Sequence, residues 1–222
     1  MGSGSATRRQ WWVAAGLVLL SLVPVLAGAV RVGELAGDPA VTAANARFVA
    51  DPAPVVLHVV GATVYSLLGA FQFVPRIRRQ WPRWHRTAGR VLVPAGLVAA
   101  LSGLWMTVSY ARPPADDVLL TPMRLFFGAA MAGCLVLGVL AIRQRDVARH
   151  RAWMARGYAI GLGAGTQVLT HLPWAVLGET PAGGGRVVAM LAGWVLNLVV
   201  VEWALRRRPA APTRQLPVPA TA

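Results

Sequence analysis

Uncharged apolar stretches alternate with short arginine-bearing segments along this chain. Trp11–Val30 has twenty residues without a charge, Pro52–Pro75 has twenty-four, Val91–Ala111 twenty-one, Leu125–Ile142 eighteen and Gly157–Gly178 twenty-two. Val187–Leu205 carries one acid, Glu202, close to its end. A hydrocarbon core about 30 Å thick needs about 20 apolar residues of helix. Backbone in lipid must satisfy its own hydrogen bonds, so these runs predict six transmembrane helices. Their length and their Ala, Leu and Gly content do not suit barrel strands, which alternate over about ten residues.

The expected fold is all-α: a polytopic bundle of about six spans near 11–30, 52–75, 91–111, 125–142, 157–178 and 187–205. A short N-terminal segment (1–10) precedes the membrane domain (11–205), and a Pro- and Ala-rich tail (206–222) reads as disordered. The segment from Arg31 to Asp51 reads as a connection with a short interfacial helix. Arg8, Arg9 and Ala27-Gly28-Ala29 have elements of a signal peptide, but the first apolar run is longer than the usual 7–15 residues, so an uncleaved helix is expected.

Composition agrees. Charged residues make up 14% of the chain and the mean hydropathy is +0.54, against about 25% charged in soluble domains. All 22 basic residues are arginine. Six spans put both termini on one side, and seventeen arginines then share that side. The other side has five: Arg31, Arg47, Arg112, Arg124 and Arg186. Basic residues in short loops stay cytoplasmic, which predicts both ends inside and a multi-pass protein of the inner (plasma) membrane. The net charge of +14 sits at span ends, where anionic lipid headgroups meet it. Membrane lipids are therefore expected partners, nucleic acid is not, and a redox or other membrane-protein partner is an open reading.

Ionisable groups inside spans are costly and are candidate functional residues by default. His58 and His171 each lie about 10 Å below the outer boundary. At that depth they can share a ligand if their helices touch; otherwise each ring bonds a neighbouring backbone or hydroxyl group. His85 and His150 lie at the inner surface, each followed by arginine at the start of a helix. An imidazole in its neutral form ligates metal, and guanidinium groups suit anions. Cys134 reads as a small core residue. HExxH, GxSxG and P-loop patterns are absent. The run Gly157-Tyr158-Ala159-Ile160-Gly161-Leu162-Gly163-Ala164-Gly165 reads as a close helix-packing surface.

Four pieces carry a family likeness: Leu57-His58; Gly69-Ala70-Phe71-Gln72-Phe73 with Arg76; His85-Arg86 with Gly89-Arg90; and Arg145-Asp146, His150-Arg151, Trp153-Met154, Arg156 and Tyr158-Ala159. Through them the chain resembles the bacterial membrane-protein family known as domain of unknown function 2306. The resemblance implies a helical membrane bundle and brings no established activity. Thr87, Ala88 and Leu92 stand where bulkier or aromatic residues are expected, and His171 stands near a position often basic in the family. The histidine layout is also similar to di-haem cytochrome b membrane proteins, by analogy of layout. The 21 residues from His150 to His171 would span about 31 Å of one helix, which is long for two cofactors in one bilayer.

Three functional readings follow, the third a transporter, which six spans without charged pairs in mid-membrane support least. The preferred one is a bundle that binds a small anionic or lipid-like ligand, or serves as an accessory membrane subunit, with Gln72, Arg86 and Arg151 around an anionic headgroup. The alternative is a b-type haem electron-transfer protein. It would use His58 with His171 and His85 with His150 as axial ligands, and Arg86, Arg90, Arg151 and Arg156 near propionates.

Overall fold

The computed structural model describes residues 3–113 and 116–207, with side chains from Trp11 onward. The expected N-terminal segment is thus described in part, and of the tail only Arg206 and Arg207; the disorder expected beyond them lies outside the described residues. The elements in chain order are α1 (Ser3–Ala36), α2 (Ala46–Ala50), α3 (Ala53–Ala70), a single 3₁₀ turn (Phe71–Phe73), α4 (Pro75–Gln80), α5 (Pro82–Ser109), α6 (Leu120–Arg143), α7 (Val147–Gly161), α8 (Gly163–Val176) and α9 (Gly183–Arg206). The fold is all-α, and no strand occurs among the described residues.

Five segments are long and apolar enough to cross a membrane: Trp11–Ala36, Ala53–Phe73, Pro82–Ser109, Leu120–Arg143 and Gly183–Arg206. The expected span 157–178 is not one helix. It is divided between α7 and α8, which meet at Leu162. The reason lies in glycine and in packing. Gly157, Gly161, Gly163 and Gly165 cluster here, and a Cβ on three of them would run into Tyr65, Trp194 or the Leu20 carbonyl of neighbouring helices. Glycine weakens helix continuity while allowing close approach of neighbours. The other boundaries differ at their ends: α5 begins at Pro82 and α6 at Leu120, so both helices extend into the polar margins that hydropathy alone leaves out.

Neighbours in sequence pack as neighbours in space: α3 against α5, α5 against α6, α6 against α7 and α8 against α9, with α1 lying across α3 and α8. Large apolar side chains on the outer faces of α1 and α9, such as Leu19, Leu26, Val199 and Val200, are exposed. That is the pattern of helices solvated by lipid rather than water. The interior is built on Tyr65, Leu92, Phe127, Met131, Leu135 and Tyr158. The Tyr158 hydroxyl donates to the Ser66 carbonyl at 2.6 Å, and its ring lies against Phe73 with centroids 4.9 Å apart. The hydrogen bond ties α7 to α3.

The helix ends form two polar surfaces. One holds α2, the N-terminus of α3, the C-terminus of α5 and the N-termini of α6 and α9; it is called the Asp116 end below. The other holds α4 and the N-termini of α5 and α7, and is called the His85 end.

Candidate functional site

A cavity of about 400 Å³ runs from the Asp116 end into the bundle between α3, α5, α6, α7, α8 and α9. This lies within the size of small-molecule sites, about 300–1,000 Å³. Its floor is aromatic and aliphatic: Tyr65, Phe127, Met131, Ile160 and Trp194. Phe127 and Trp194 stack at 4.4 Å with 19° between planes. Met131 and Trp194 each lie eleven residues into their helices, so the floor is roughly 16 Å from the helix ends, near mid-membrane.

The mouth is cationic. Arg47, Arg112, Arg124 and Arg186 line it, with Asp116 as the one carboxylate. Asp116 has a fully buried side chain and meets Arg124 at 2.6 Å and Arg186 at 2.7 Å. The Arg186 Nε and the Asp116 Oδ1 are close but not aligned as a hydrogen bond. One carboxylate thus serves two guanidinium groups. Arg47 lies over the Phe48 ring at 4.6 Å, and Arg31 lies over the same ring at 4.8 Å. Burial and the nearby Arg124 and Arg31 hold the Arg47 guanidinium below the ordinary arginine value, with Asp116 acting the other way. Tyr110 packs edge-on against Phe48 at 5.5 Å and donates its hydroxyl to the Asp51 carbonyl at 2.5 Å.

Between mouth and floor lies a sparse polar layer. His58, on α3, places Nδ1 2.8 Å from the Ala99 carbonyl of α5. The close approach comes from Gly61, one turn further along α3, where a Cβ would lie 2.8 Å from the Ala95 carbonyl. Gln167, on α8, donates from Nε2 to the Met190 carbonyl at 3.0 Å. The break at Leu162 borders this layer, since Ile160, Gly161 and Ala164 all line the cavity. Irregular backbone at membrane depth is tolerated where it lines a cavity.

Of the residues singled out from sequence, His58 alone lines this cavity. His171 places Nδ1 2.7 Å from the Gln167 carbonyl of its own helix, and α8 packs on α9 and α1 while α3 packs on α5 and α1. His58 and His171 therefore make separate backbone hydrogen bonds on helices that are not principal neighbours. At the His85 end, His150 places Nδ1 2.8 Å from the Gly138 carbonyl. His85 lies within electrostatic range of Arg78, His150 and Arg86, and its buried Nδ1 has no hydrogen-bond partner among the described residues. Arg78 is held below its ordinary value by burial and by Arg151 and Arg79. Arg86, Arg90 and Arg151 are exposed. Arg156 is engaged by both carboxylate oxygens of Glu202, at 2.5 and 3.1 Å, which gives it a structural partner. Gln72 sits in the 3₁₀ turn with its Nε2 buried and without a partner among the described residues. Cys134 is buried in the core. No group of three or more His, Cys, Asp or Glu side chains suited to a metal ion occurs among the described residues.

Sequence reasoning missed the cavity mouth. Its arginines were counted only as the minority in the charge asymmetry. They carried a signal of their own: they are the basic residues that the asymmetry leaves unexplained.

Residues 55–205 match the family model described as Predicted membrane protein (DUF2306). The chain belongs to this family. No curated protein and no solved structure matches the chain. The DUF2306 stretch holds every cavity-lining residue except Arg47 and Phe48. The site is therefore built almost wholly from the part of the chain that defines the family, and α2 adds a cationic edge to it.

Proposed function

We propose that this DUF2306 protein binds a small amphiphilic anion in the cavity between α3, α5, α6, α7, α8 and α9. The acidic head would lie among Arg47, Arg112, Arg124 and Arg186, and the apolar body on Phe127, Met131 and Trp194. The observation that carries this reading is the arginine distribution. Arg31 engages Glu34 at 2.6 Å and the Phe48 ring. The other four arginines of the Asp116 end all line one cavity. Headgroup anchoring would scatter them around the rim. One buried carboxylate leaves most of that positive charge for a ligand, and guanidinium is the side chain suited to bidentate capture of carboxylate or phosphate.

The membrane orientation belongs to the same proposal. Both termini and the His85 end face the cytoplasm of a bacterial inner membrane, and the cavity opens on the opposite side. Reporter fusions at the Trp81 turn test this, with cytoplasmic activity expected.

Binding is tested in zwitterionic phosphatidylcholine nanodiscs by thermal unfolding. A ligand that binds only the folded state raises the midpoint as its concentration rises. Decanoate is expected to raise it and decanol to do so much less. Arg47→Gln and Arg112→Gln should each weaken the decanoate effect, and added salt should weaken it further. Equal effects of decanoate and decanol, unchanged by either substitution, would remove the anion-binding reading.

A further inference from the structure

The geometry points to a ligand that carries a hydrogen-bond donor, a hydroxyl or amide N–H, a few bonds in from its acidic head, with His58 Nε2 as the acceptor that receives it. This rests on the binding site proposed above and narrows its chemical class.

The argument starts from the His58 tautomer. The Ala99 carbonyl can only accept, so the hydrogen of the 2.8 Å contact is on Nδ1. In the neutral imidazole the other nitrogen, Nε2, is then an acceptor. Ser102 does not compete for the ring, because its hydroxyl donates to the Val98 carbonyl at 2.5 Å. His58 Nε2 makes no hydrogen bond among the described residues, and it is not among the buried polar atoms sealed from contact. His58 lines the cavity, and in the proposed complex that open nitrogen is turned toward the cavity space. The ring edge between the two nitrogens lies against Gly103, where a Cβ would come within 3.3 Å of both Cε1 and Nδ1. Glycine there keeps the edge clear.

Two hydroxyl groups that line the same cavity also present lone pairs. The Thr107 hydroxyl donates to the Gly103 carbonyl at 2.7 Å, and the Tyr110 hydroxyl donates to the Asp51 carbonyl at 2.5 Å. Both are committed as donors and keep lone pairs. Gln167 gives one N–H to the Met190 carbonyl and keeps its Oε1 and a second N–H. The cavity is thus graded along its depth: guanidinium donors at the mouth, open acceptors beneath them, and aromatic surface at the floor. A plain fatty acid satisfies the first and third layers and leaves His58 Nε2 dry and unpaired, which costs free energy. An acid with a hydroxyl or amide N–H near its head satisfies all three.

The test compares decanoate with its 3-hydroxy and 5-hydroxy derivatives, on full-length protein in phosphatidylcholine nanodiscs. Calorimetry gives the affinities, and the ¹⁵N resonance of His58 Nε2 reports on the ring. At least one hydroxy acid should bind roughly threefold to tenfold tighter than decanoate, as one neutral hydrogen bond implies. It should shift the Nε2 resonance where decanoate does not. In His58→Phe the ratio of hydroxy-acid to decanoate affinity should fall to about one. Should that variant fail to fold, the resonance of the unsubstituted protein decides alone. Equal affinities with an unmoved Nε2 signal overturn this inference and leave the anion site standing. If neither decanoate nor the hydroxy acids bind, both readings fall.

Discussion

Asn197 of α9 donates its amide to the Ala159 carbonyl of α7 at 3.0 Å. Its Oδ1 accepts from the Thr166 hydroxyl of α8 at 2.7 Å. One side chain therefore bonds both halves of the broken helix, on either side of Leu162. Backbone groups at membrane depth have no water to turn to, so a helix break there needs such a partner. Asn197→Leu is expected to destabilise the bundle by about 1 kcal/mol, the scale of interhelical side-chain bonds in membranes. Unfolding titrations in mixed micelles measure this. Protection of the α8 amides from hydrogen exchange should fall with it.

Asp116 holds the mouth together. Its buried carboxylate meets both Arg124 and Arg186, and asparagine would leave two guanidinium groups facing each other. Removing one partner of a buried pair costs several kcal/mol. Here both arginines are near one-third exposed, and solvent screening reduces the effect. Asp116→Asn should lower stability by about 1–2 kcal/mol. Bound decanoate should recover part of that loss, because it supplies the missing negative charge. A thermal midpoint series with and without decanoate checks both statements.

Gly61 sets the distance between α3 and α5. A Cβ there would lie 2.8 Å from the Ala95 carbonyl and 3.0 Å from the Ala99 amide, and both are backbone atoms that cannot swing aside. Gly61→Ala should cost about 1–3 kcal/mol, the usual range for overpacking. It should also part His58 from the Ala99 carbonyl and so release the ring tautomer. The ¹⁵N spectrum of His58 would then show a mixture of tautomers in place of one.

The haem reading has a direct optical test. Protein expressed with haem supplied and purified in mild detergent is expected to be colourless. A Soret band that shifts on dithionite reduction, and is lost in His85→Ala or His150→Ala, would establish the alternative in which those imidazoles ligate iron. The same band lost only in His58→Ala would place the haem at the cavity instead.

The chain's own sequence determined that it is a helical membrane bundle, which helix ends lie together, and where the packing glycines fall. These are local properties: a run of about 20 apolar residues crosses a bilayer whatever its neighbours, and Gly157 to Gly165 announces close contact through side-chain size alone. The sequence also marked His58 as a polar group inside a span. The tertiary structure decided everything that depends on which helix faces meet. It parted His58 from His171, because their helices pack against different neighbours. It divided the fifth apolar run at Leu162, where glycines pack closely on neighbouring helices and Asn197 of α9 bonds both sides of the break. It gathered Arg47, Arg112, Arg124 and Arg186 from α2, the segment after α5, α6 and α9 around one cavity. Segments so far apart in the chain carry no mutual signal in hydropathy or spacing, and only the packing of helices α2 to α9 brings their charges to one place.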